Sequence, residues 1–136
     1  MASLLPQHDG YLPYYLLYAG VSAFIHSAVC YVLRPSVSMK LFSGPRATAS
    51  TRTSLLAHTY GTKNIYTGLI RTYAAYHITN PQLYDLALWT FVGVLAFCGG
   101  QFFVWRTIGP REAVIPFVTA GAGVLWMVMA REGYLD

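Results

Sequence analysis

Three stretches of this chain, residues 11–33, 86–105 and 113–130, contain no Asp, Glu, Lys or Arg. As helices rising 1.5 Å per residue, each is long enough to cross the roughly 30 Å hydrocarbon core of a bilayer. A fourth stretch, residues 55–76, has similar length but carries Lys63 and Arg71. The pattern predicts an all-α protein, an integral membrane four-helix bundle in one domain over residues 1–136. Apolar residues make up 55% of the chain and charged residues 10%, against about a quarter charged in soluble domains. A water-soluble fold would lack the polar surface to cover such a core.

The boundaries follow from punctuation. The first span ends before Arg34-Pro35, because proline cannot continue a helix without losing a backbone bond. Asn80-Pro81 and Gly109-Pro110 mark the two later turns. The N-terminus has His8 and Asp9 in place of a basic region before a first span too long for a signal-peptide core, so no cleavable signal is expected.

The basic residues orient the spans. Arg34, Lys40, Arg46, Arg52, Arg106 and Arg111 fall in the loops after the first and third spans, whereas the opposite end has only Arg131. By the positive-inside rule the basic loops face the cytosol and both termini face the other side. The net charge of +4 is therefore read as topology, and no nucleic-acid partner is expected. Cys30 and Cys98 lie inside spans with no metal-ligand spacing, which predicts free thiols and no metal. Ala19, Ala23 and Ser27, and likewise Thr119 and Gly123, recur at four-residue spacing, as helices that approach closely in a membrane require. That surface serves either packing within the chain or a partner helix, including one from a second copy.

Charge inside the bilayer is the informative feature. Arg71 lies near enough to the end of its span to snorkel toward the interface. Lys63 is about 12 Å from the start of the same span at 1.5 Å per residue, too deep for that escape. A central lysine costs at least about 2.5–3.5 kcal/mol on insertion scales. No Asp or Glu lies inside a span; Asp85 and Glu112 stand at span ends. Lys63 is then compensated by Thr59, Asn64, Thr67, tyrosine hydroxyls, Gln101, carbonyls near Gly99-Gly100 or water, by release of its proton, or by an anionic group of a lipid or substrate. His58, Thr59, Thr62, Lys63 and Tyr66 occupy little more than two turns and form a candidate polar cavity lining, with His26 deep in the first span. No nucleophile triad, carboxylate pair, zinc motif or phosphate loop is present, so no cofactor is expected.

Several segments, in order, resemble the ergosterol biosynthetic protein 28 family: residues 10–17 (GYLPYYLL), 58–62 (HTYGT), 73–84 (YAAYHITNPQLY), 86–90 (LALWT), 102–107 (FFVWRT) and 125–127 (LWM). The resemblance implies a multi-pass protein of the endoplasmic reticulum membrane. It implies a non-catalytic scaffold among membrane lipids that holds together the oxidoreductases of sterol C4 demethylation. The chain departs from the family pattern at defined places. His58 replaces an Arg, Lys63 and Asn64 replace Trp and Thr, and Phe97 and Gln101 replace a His and a Glu in the third span. An Arg–Glu pair available to the family is thus lost and a new cation gained. These changes leave open a second reading. In it, the chain is a divergent member acting as a membrane isomerase or cyclase on a lipophilic terpenoid or polyketide intermediate, with His58, Lys63, Tyr66 and His26 as candidate catalytic residues.

Overall fold

The computed structural model describes residues 5, 6, 10–48 and 52–135; His8 and Asp9 lie outside them. Among the described residues the fold is all-helical, without strands. The elements are α1 (Leu12–Val32), the single turn α2 (Pro35–Ser38), α3 (Ser54–Tyr76), α4 (Pro81–Phe103) and α5 (Pro110–Leu135). Three of these, α1, α4 and α5, are long and apolar enough to cross a membrane. α3 is as long as α4 but is made more polar by its threonines, Asn64, Lys63 and Arg71.

Capping explains why two helices begin earlier than the uncharged runs. The Asn80 side chain accepts a hydrogen bond from Leu83 N at 3.1 Å, and Pro81 follows at the first helical position. That start lies a full turn before the uncharged run at residue 86, because proline and an asparagine cap set a helix end more strongly than Asp85 opposes it. Pro110 similarly opens α5 ahead of residue 113, and the helix continues to Leu135, past Arg131. Thr53 caps α3 by accepting from Leu56 N at 3.1 Å.

Successive long helices run antiparallel. The principal seam joins α1 to α3, with lesser seams between α3 and α4 and between α4 and α5. On α1 the buried stripe is Leu12, Leu16, Ala19, Ala23, Ser27 and Cys30; on α3 it is Ala57, Gly61, Asn64, Gly68, Arg71 and Ala75. Both repeat at three- and four-residue steps, the spacing that keeps one face of a helix on its neighbour. The small residues of α1 thus serve packing within the chain. On α5, Gly123 does the same against the Phe91 ring, where an added Cβ would stand 2.8 Å from ring carbons.

The two basic loops meet at one end. Gly44 N donates to Thr107 O and Arg46 N to Arg106 O, both at 3.0 Å. A Cβ on Gly44 would lie 2.5 Å from the Arg106 carbonyl oxygen, so only glycine permits this approach. At the opposite end Gly10 lies against the Tyr134 hydroxyl, bringing the start of α1 beside the end of α5. The buried core divides accordingly. One cluster, including Leu12, Leu16, Tyr84, Phe91 and Met127, fills the terminal end. A second, including Cys30, Met39, Phe42, Ala57, Cys98 and Ile108, fills the loop end. Both cysteines are free thiols within it or at its edge. Between the clusters lies a polar belt.

Candidate functional site

The belt borders a cavity of about 480 Å³ to which α1, α3, α4 and α5 all contribute. His26 comes from α1, Lys63, Asn64, Thr67 and Arg71 from α3, Phe91 from α4, and Thr119 from α5. Lys40 and Glu112 border the cavity toward the loop end. Its volume falls in the range of sites that take small ligands. A groove of about 430 Å³ runs between α3 and α4, bordered by Thr59, Tyr60, Lys63, Thr67, Thr90, Gly93 and Phe97. Lys63 and Tyr60 are shared by both spaces.

Four of the sequence candidates come together here, namely His26, Lys63, Asn64 and Arg71. The Asn64 amide nitrogen, a donor, lies 2.8 Å from His26 Nδ1. Nδ1 must then accept, which leaves the neutral ring's proton on Nε2. Lys63 Nζ stands 4.2 Å from the centroid of the Tyr60 ring. A ring face, not a hydroxyl or a carboxamide, is what this ammonium meets, through attraction to the π-electron density. Lys63 is an exposed residue, and the space it borders comprises the cavity and the groove.

Arg71 does not snorkel. It is only 8% exposed, and its guanidinium carbon lies 4.1 Å from the centroid of the Phe91 ring. Its Nε donates to Thr90 Oγ1 at 2.9 Å, while the Thr90 hydroxyl donates to Ala87 O at 2.6 Å. The α3–α4 seam offers both a hydroxyl and an aromatic face close to Arg71, and a one-helix reading of depth cannot see either. Among the described residues, neither Lys63 nor Arg71 forms an ion pair, and the Nη groups of Arg71 have no hydrogen-bond partner in the protein. The Asp85–Arg131 pair, 3.0 Å apart, is near the terminal end.

The other candidates go elsewhere. His58 stacks on Tyr31, with ring centroids 4.7 Å apart and planes 4° from parallel. Thr62 hydrogen-bonds the Tyr31 hydroxyl and donates to His58 O. Tyr66 is 63% exposed and borders neither space. Thr59 borders the groove but not the cavity. Gln101 accepts from Thr107 Oγ1 at 2.6 Å, tying the end of α4 to the following loop. The short stretch from His58 to Tyr66 is therefore split among several faces of α3. Residues missed from sequence are Tyr60, Thr90 and Phe91; only the packing of α4 on α3 reveals them.

A family model described as Erg28 like protein matches residues 12–125. The chain is 28% identical to ergosterol biosynthetic protein 28 of Saccharomyces cerevisiae, an alignment covering 97% of this chain and 88% of that protein. It is 24% identical to the protein of the same name from Gibberella zeae, over 97% of this chain and 95% of the relative. The human ergosterol biosynthetic protein 28 homolog is 33% identical over 60% of this chain and 59% of its own length. No solved structure matches.

Proposed function

This chain belongs to the Erg28-like protein family, and from that premise we propose that it is a non-catalytic membrane scaffold of ergosterol biosynthesis. In this role it tethers the membrane-bound oxidoreductases of sterol C4 demethylation in the endoplasmic reticulum. The observation that carries the reading is the nearly end-to-end alignment with the yeast protein named for ergosterol biosynthesis. Tethering raises the effective concentration of successive enzymes around poorly soluble intermediates without demanding chemistry from the tether.

The molecule's surface suits that role. Trp89, Ile115, Val118, Leu125 and Met129 are exposed on α4 and α5, where lipid or partner helices would cover them. Gly93 and Gly121 face open space, which lets another helix approach closely. In this reading α3 spans the bilayer with α1, α4 and α5 as one four-span domain, the basic loops are cytosolic, and both termini lie on the other side. The isomerase or cyclase reading gains nothing from the geometry. His58 packs on Tyr31 and shares no cavity with Lys63.

The test is complementation of a fungal host lacking its own family member, followed by sterol profiling. Restored ergosterol, together with co-purification of the C4-demethylation oxidoreductases, is the expected result, and His58→Ala should retain it. C4-methyl sterols that persist despite good expression would reject the role.

A further inference from the structure

The cavity between the two core clusters is bordered by three cations, Lys40, Lys63 and Arg71, and by one carboxylate, Glu112. Arg71 is buried at its terminal side, fixed by Thr90 and Phe91, and its Nη groups have no hydrogen-bond partner among the described residues. Lys63 stands about 12 Å away along α3, eight residues at 1.5 Å each, with an aromatic face as its contact. Such groups are costly in an apolar interior unless something of opposite charge joins them. Among the described residues Glu112 forms no ion pair with any of the three cations, so the lining carries a net positive charge.

Access is lateral. α1 and α5 have no extensive seam, although the Tyr15 hydroxyl donates to Thr119 O across the gap. The flank beside the cavity includes Tyr18 and Ser22 on α1 and Ile115 and Pro116 on α5. An occupant entering there comes from the acyl-chain region, and so must itself be largely apolar.

We propose that this cavity binds an amphiphile with an anionic headgroup, a carboxylate or a phosphate, on an apolar body. Arg71 supplies planar, directed donors to the headgroup, and Lys63 supplies a flexible point charge from the α3 wall. His26 and Asn64 present the polar edge between them, and the apolar body leaves between α1 and α5. The site is independent of the scaffold reading, because a tether with or without partners would possess it.

The experiment uses the full chain in phosphatidylcholine nanodiscs. Retention of labelled oleate is compared with oleyl alcohol, and of dioleoyl phosphatidic acid with dioleoylglycerol. Within at least one pair the anionic member should bind about tenfold tighter or more, since hydrogen bonds to charged groups are the stronger class. The pair that responds identifies the headgroup as carboxylate or phosphate. Lys63→Gln should remove most of the preference, and Arg71→Lys should weaken it while conserving charge. Arg46→Gln and Arg106→Gln, which alter the loops, should leave it intact. Equal retention of charged and neutral members in both pairs would overturn the proposal. So would a preference that survives Lys63→Gln and Arg71→Lys, or one that disappears with the loop substitutions.

Discussion

Gly20 and Gly68 face each other across the α1–α3 seam so closely that a Cβ on either would stand 3.0–3.1 Å from the other's carbonyl oxygen. Their reciprocity sets how near the two helices lie. It is also why the neighbouring His26–Asn64 contact can form.

Enlarging either glycine should open that seam. Gly68→Val should cost about 1–3 kcal/mol, the usual range for overpacking a well-filled interior. Gly20→Val should act similarly, because its side chain would also meet Thr72 Oγ1. Thermal unfolding in detergent reads the loss, and the double variant should be less than additive because both changes move the same seam.

The loop–loop contact makes a separate prediction. Gly44→Ala places a methyl group against the Arg106 and Ile108 carbonyls and should separate the loops. Limited proteolysis at Arg46 and Arg106 should accelerate relative to the parent, with little change in helix content. Equal cleavage rates would mean that the two backbone bonds contribute little order.

Lys63→Met should help α3 enter a membrane. Replacing a central lysine with an apolar side chain should lower the apparent insertion free energy by at least about 2.5 kcal/mol. A glycosylation-mapped translocon assay on α3 alone measures this directly. Within the folded protein the gain should be smaller, because Tyr60 already covers the ammonium.

The Asp85–Arg131 pair should matter little. Both side chains are nearly half exposed, at 44% and 45%. A double-mutant cycle with Asp85→Asn and Arg131→Gln should give a coupling of about 0.2–1 kcal/mol, falling as salt is added.

Much of the fold was legible because its signals are local. Arg34-Pro35, Asn80-Pro81 and Gly109-Pro110 mark helix ends, and uncharged length marks the apolar helices. The helices α4 and α5 begin ahead of the uncharged runs at residues 86 and 113, because caps and prolines decide where they start. The site was legible only in part. The sequence shows that Lys63 and Arg71 lack carboxylates within their helix. It does not show that Tyr60 and Phe91 present ring faces to them, since rotation about the α3 axis and the choice of neighbouring helix are long-range outcomes. For the same reason His58, five residues from Lys63, points to Tyr31 rather than to the cavity.

The dependence of Arg71 on Thr90 and Phe91 also sets an order of events during synthesis. α3 leaves the ribosome before the helix that shields its guanidinium exists, at elongation rates of about 5–20 residues per second. A nascent hairpin of α1 and α3 therefore carries an uncovered positive charge until α4 arrives. Truncating the chain after Asn80 should strand that hairpin as a substrate for membrane quality control, whereas extending it through α4 should release it.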